Sequence, residues 1–210
     1  MPRIQAATVA EHRSLQRRAL LDAARDILAS GAPEAPSLSA VAQRAGLARS
    51  SVYQYFKSRE DLLDAVIADM FPRWSSLVAQ RMDGAATAAE QVLAYADANL
   101  ELVAQGEHAV MRGLAMAAPG AALHESSRVL HEQLRVPLVD ALARSGATEP
   151  SHMAELIQAL VRTGSLMIEN GVPPDDVRGL VKEMLAPYLH VAGRSRPGSR
   201  RSPDEVAHRV

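Results

Sequence analysis

Between Ser37 and Arg59 the chain collects side chains suited to reading a polyanion: Ser37, Ser39, Arg49, Ser50, Ser51, Tyr53, Gln54, Tyr55, Lys57 and Arg59. In the major groove of duplex DNA a glutamine amide pairs with adenine and a guanidinium with guanine, while hydroxyls, lysine and arginine favour phosphate oxygens. Gln54 and Arg49 are therefore assigned to base edges, and Ser50 and Ser51 to bases or backbone. Tyr53, Tyr55, Lys57 and Arg59 are assigned to phosphates, helped by the positive helix ends near Ser37 and Ser58. Second readings stand beside these. Tyr53 can pack on the first helix, Ser37 and Ser58 can be plain helix caps, and Arg49 can be a solvated arginine.

Such a set reads DNA only when a short exposed helix presents it at a steep angle to a second one. Leu20, Ala24, Ile27 and Leu28 recur at three- and four-residue steps and predict a first helix over residues 14–29. Ser37 is a suitable cap for a second helix reaching Arg44, and Gly46 suits the left-handed turn that ends it. A third helix is expected over residues 49–56. Ala42 and Ala45 allow close approach, Leu47 and Val52 fill the angle, and Phe56 anchors the third helix to the first. Ser58 caps a fourth helix carrying Leu62, Leu63, Val66, Ile67 and Met70, with Asp61 in an approximate capping box. Pro72 predicts a kink or break if that helix continues to Met82. Further helices are expected over residues 87–105, 107–117, 121–145, 150–170 and 174–191. No stretch shows sustained period-two alternation, so the expected fold is all-α with about nine helices.

The 210 residues are 48% apolar and 22% charged, which fits a globular chain. Cysteine is absent, excluding disulfides, thiolate metal sites and a cysteine nucleophile. The N-terminus lacks a secretory apolar run, and no segment approaches the roughly 20 apolar residues of a membrane span, so a cytoplasmic protein with no membrane partner is expected. The net charge of −1 hides an asymmetry. Residues 1–60 carry 9 Lys/Arg against 5 Asp/Glu, residues 61–190 carry 9 against 17, and residues 191–210 carry 5 against 2. A basic head on an acidic body suits approach to an anionic polymer through one end. Arginine as such says less, because only Lys57 and Lys182 among the 23 cationic residues are lysine.

The run Val41-Ala42, Ala45-Gly46-Leu47 and Ser51-Val52-Tyr53-Gln54-Tyr55-Phe56-Lys57-Ser58-Arg59-Glu60-Asp61-Leu62 resembles the signature of the TetR (tetracycline-repressor-like) transcriptional regulators. The likeness covers about residues 14–70. It departs from the family pattern at Ala32, where an aromatic residue is common, and at Pro36, where threonine is. The resemblance implies a homodimer that binds a palindromic operator in double-stranded DNA as a repressor and leaves it when a small-molecule inducer occupies the larger domain. The expected organisation is a helix-turn-helix domain over 1–60 with an arm over 1–13, a helical ligand-binding and dimerisation domain over 61–192, and a basic flexible tail over 193–210 that could add phosphate contacts.

In the body, Met70, Phe71, Trp74, Tyr95, Asn99, Met111, Met116, His124, His131 and Met167 lie on helices that could surround a cavity, with plain core packing as the alternative. The acidic balance of the body hints at a cationic ligand or serves to keep that end off DNA. Two stripes, one with Leu156, Leu160, Gly164 and Met167 and one with Val177, Val181, Met184 and Tyr188, suit a four-helix interface between two copies, or monomer core. If Pro72 lets the fourth helix pivot, ligand in the body could alter the separation of two recognition helices. Enzyme motifs (a nucleophile elbow, a phosphate loop, paired zinc histidines on HExxH) are absent, so no enzyme and no cofactor are expected. His124 and His131 share a face but lack a third ligand between them, so no metal is expected. A helical interaction module and, behind it, a small-molecule enzyme are the rival readings, and the module would need neither the Gln54 surface nor the basic head.

Overall fold

Caps and glycines set the helix boundaries. The computed structural model describes residues 3–31, 36–117 and 120–194, and among these it contains nine α-helices and no strand. They are α1 (Arg3–Ala29), α2 (Leu38–Arg44), α3 (Arg49–Val52), α4 (Arg59–Asp83), α5 (Ala88–Ala104), α6 (Glu107–Ala117), α7 (Ala121–Arg144), α8 (Pro150–Glu169) and α9 (Pro174–Arg194). The Ser37 hydroxyl accepts the Ala40 N–H at 3.1 Å and the Ser58 hydroxyl accepts the Asp61 N–H at 3.2 Å, each satisfying a donor that the helix start leaves open. Thr87 and Glu90 form a reciprocal capping box at α5. Gly46, at φ +69°, makes the turn after α2.

Three expectations change. The first helix begins at Arg3 rather than near residue 14, so residues 3–13 are helical. The apolar stripe marks where burial begins: Val9 is 67% and Leu15 69% exposed, whereas Leu20 is fully buried. The third helix is a single turn followed by tighter turns, with the Gln54 N–H bonded to the Ser51 carbonyl and the Tyr55 N–H to that of Val52. Of the kink or break expected at Pro72, the break does not occur: the fourth helix continues through it, because Met70, Phe71 and Trp74 on either side are buried and their packing outweighs one missing backbone donor. The tail beyond Arg194 and the linker at residues 32–35 lie outside the described residues.

In the head, α1, α2 and α3 close over Leu20, Ala24, Val41, Ala42, Val52 and Phe56, all buried. In the body, α5 packs against α4, α6, α7, α8 and α9 and buries Val92, Tyr95, Ala96, Ala98, Asn99, Leu100, Leu102 and Val103. Head and body meet chiefly where α1 crosses α6. A Cβ placed on Gly113 of α6 would lie 2.4 Å from the Leu28 carbonyl oxygen of α1, so only glycine permits this crossing. Beside it Arg25 of α1 pairs with Glu107 of α6. Among the described residues no helix is long and apolar enough to cross a membrane.

Candidate nucleic-acid interface and body cavity

The α2–α3 turn presents the reading surface. Ser39, Arg49, Ser50, Gln54, Lys57 and Arg59 are exposed, as is Tyr53 at 52%, while Val52 and Phe56 on the opposite side are buried. Ser51 is half-buried, and Ser37 and Ser58 engage their hydroxyls as caps. The Asp61 carboxylate accepts the Lys57 backbone N–H at 2.8 Å, which fixes the entry to α4 and leaves the Lys57 ammonium outside. Arg59 sits 3.8 Å from Glu60. The packing role considered for Tyr53 belongs instead to Tyr55, which is half-buried and donates its hydroxyl to Gln16 of α1 at 2.7 Å. The Arg13 guanidinium lies 5.8 Å from the Tyr55 ring and that of Arg17 5.9 Å from the Phe56 ring. Gln16, Arg13 and Arg17 were not singled out from sequence. The four-residue step from Arg13 to Arg17 was the available signal.

In the body, a cavity of about 360 Å³ opens between α4, α5, α6, α7 and α8. Of the ten candidates, Trp74, Tyr95, Asn99, Met111 and His131 line it. The others do not. Met70 and Phe71 are buried core on α4, Met116 is 69% exposed, Met167 is half-buried elsewhere, and His124 is exposed with its ring bonded to the Gly120 carbonyl. Val103, Leu130, Leu134 and Val161 complete the apolar wall, and His108, Ser127, Gln158, Arg162 and Ser165 the polar part. Helical steps could have flagged these: Ser127, Leu130, His131 and Leu134 share one face of α7, and Gln158, Val161, Arg162 and Ser165 one face of α8.

The floor is organised by hydrogen bonds. The Trp74 indole N–H donates to Asn99 Oδ1 at 2.9 Å, and the Asn99 amide donates to the Tyr95 carbonyl at 2.7 Å, so this buried amide is paired on both sides. The Trp74 and His108 rings stack at 5.6 Å. Burial pushes the Tyr95 hydroxyl pKa up, against a hydrogen bond from Gln158. Burial also pulls the His108 pKa below its ordinary value, outweighing the nearby Glu169 carboxylate, which favours the neutral ring. Among the described residues no group of His, Asp and Glu could hold a metal ion.

The two stripes expected at a subunit interface divide. Gly164, Val177 and Val181 point inward, where a Cβ on Gly164 would meet Leu100 and Val177, which makes them core of the chain itself. Leu156 and Met184 are exposed, each at 64%, and Leu160, Met167 and Tyr188 are half-buried. Leu166 and Leu180 extend the exposed apolar set.

Residues 20–66 match the family model described as bacterial regulatory proteins, tetR family. A comparison with the curated proteins finds no match. A transcriptional regulator from Rhodococcus sp. Rha1 superposes with a TM-score of 0.70 at 22% identity over 84% of this chain and 97% of that one. The transcriptional regulator FadR from Bacillus subtilis, in complex with stearoyl-CoA, gives 0.62 at 19% identity over 80% and 96%. AibR, in complex with isovaleryl coenzyme A and operator DNA, gives 0.62 at 17% identity over 80% and 97%. Residues 20–66 are thus similar to the tetR family of bacterial regulatory proteins, and the chain shares its fold with solved transcriptional regulators.

Proposed function

We propose that the protein is a homodimeric, ligand-responsive repressor that binds a palindromic operator through residues 1–60 and releases it when a small hydrophobic molecule fills the cavity of residues 61–192. The observation that carries the reading is the exposure of Arg49, Ser50, Tyr53 and Gln54 together on one side of a helix-turn-helix whose other side is fully packed. Nothing in a purely structural module requires that surface. Gln54 and Arg49 read bases, and Tyr53, Lys57 and Arg59 hold phosphates. Tyr55 acts one step back, fixing the reading turn to α1 through Gln16.

Leu156, Leu166, Leu180 and Met184 form the outer surface of α8 and α9 that a second copy covers, since large exposed apolar side chains on adjoining helices favour burial. The ligand acts through α6, which offers His108 and Met111 to the cavity and Glu107 and Gly113 to α1. Two solved proteins of this fold hold acyl-coenzyme A molecules, which supports a ligand in this body. Work on DNA places the protein in the cytoplasm, and no enzymatic activity is assigned.

Footprinting of the purified protein on genomic fragments tests the reading. Protection of two half-sites about one helical turn apart is expected, together with a dimer in sedimentation. A strict monomer, or equal affinity for genomic and random DNA at moderate salt, would overturn it.

A further inference from the structure

The cavity differs in charge from the domain that contains it. The body carries 17 Asp/Glu, yet no carboxylate lines the cavity, whose single charged side chain is Arg162. Elsewhere in the body every arginine with a described side chain has a carboxylate partner. Arg73 pairs with Asp69, Arg81 with Glu101, Arg112 with Glu169, Arg128 with Glu125, Arg135 with Glu132, Arg144 with Asp140 and Arg178 with Asp97. Arg162 alone among them has none. Depth sorts the lining further. Trp74, Tyr95, Asn99, Val103, Leu130, Leu134 and Ser165 are buried, the Asn99 amide and the Ser165 hydroxyl being hydrogen-bonded within the chain, whereas His131 and Arg162 are exposed, so the space runs from a mostly apolar, internally paired floor to a polar mouth between α7 and α8.

Resting on the regulator reading above, we propose that the inducer is an apolar carboxylic acid, its chain or ring on the Trp74 floor and its carboxylate paired with Arg162 at the mouth. A guanidinium matches a carboxylate in charge and in its two-oxygen geometry. An ammonium ligand would meet no counter-charge and a like charge at the entrance, which removes the cationic ligand that the overall acidity suggested. A coenzyme A thioester brings several phosphate charges, against which the lining sets one guanidinium, and its carbonyl head is neutral. The volume of about 360 Å³ lies at the small end of ligand sites, which suits a compact acid.

Trp74 is the one tryptophan of the chain and forms part of the floor, so its emission reports occupancy directly. Octanoate, octanol, octylamine and octanoyl-coenzyme A share one chain and differ at the head, and each is titrated into the full-length protein. A saturable emission change with octanoate is expected, with octanol and octylamine roughly tenfold weaker or more, as loss of a charge-assisted pair implies. Arg162→Gln should bring octanoate down to the level of octanol and leave octanol itself unchanged. Because Arg162 is exposed and unpaired, thermal unfolding of Arg162→Gln should match that of the unaltered protein. Equal binding of the three simple heads, an unaffected octanoate affinity in Arg162→Gln, tighter binding of octanoyl-coenzyme A that is indifferent to Arg162, or no response to octanoate each overturns the proposal. Operator release by octanol or by the thioester, without octanoate, would sink the carboxylate and keep the ligand-responsive regulator.

Discussion

The cations of the head and those of the body differ in how many find a carboxylate partner. In the body, seven arginines pair with carboxylates, and some of these pairs join helices: Arg81 ties α4 to α5 at 2.8 Å and Arg178 ties α9 to α5 at 2.7 Å. In the head, Arg25, Arg44 and Arg59 have carboxylate partners, but Arg18, Arg49 and Lys57 are exposed and have no ion pair among the described residues, and Arg13 and Arg17 lie over aromatic rings instead. The residue type is the same, so the local supply of carboxylates makes the difference. Unpaired cations on one face cost little in water and become valuable when a phosphate backbone arrives.

The contrast can be tested at three strengths. Phe56→Ala removes a fully buried ring from the head and should cost about 3–5 kcal/mol in urea unfolding. Unaltered stability would mean that the head is not built on this anchor. Gly113→Ala forces a methyl group onto the Leu28 backbone and should cost about 1–3 kcal/mol, seen as a lowered melting temperature. If it melts like the unaltered protein, the α1–α6 crossing is looser than described. The smallest effects separate the two kinds of head residue. Gln54→Ala should lose about 1–3 kcal/mol on the cognate operator and relax preference at one base, whereas Lys57→Ala should weaken cognate and scrambled duplexes alike and reduce the salt slope by about 1. Fluorescence titration of both duplexes over a series of KCl concentrations distinguishes them, and an identical pattern for the two variants would erase the division.

The head was legible because its signals are local. A serine cap, a glycine turn and the step from Val52 to Phe56 lie within twenty residues, and each constrains the backbone directly. Tyr53 and Tyr55 show the limit of this, since which ring packs depends on Gln16, thirty-nine positions upstream of Tyr55. The cavity was only half legible. Met, Trp and His were conspicuous by type, but Ser127, Gln158 and Arg162 are ordinary surface residues until α7 and α8 pack side by side. The same non-local packing turned Val177 and Val181 inward and left Met184 outside, although all three share one apolar stripe. Helix ends misled where propensity and burial part company, as at the start of α1.

Gln16, which holds the Tyr55 hydroxyl, and Arg25, which holds Glu107, stand on one uninterrupted helix, about 14 Å apart along its axis at 1.5 Å per residue. From His108 at the cavity wall to the turn that carries Gln54, the route therefore crosses two side-chain joints and a stiff rod, with no slack segment to absorb movement. A tilt of that rod imposed at its far end would swing Tyr55 with it, much as a tiller turns a rudder.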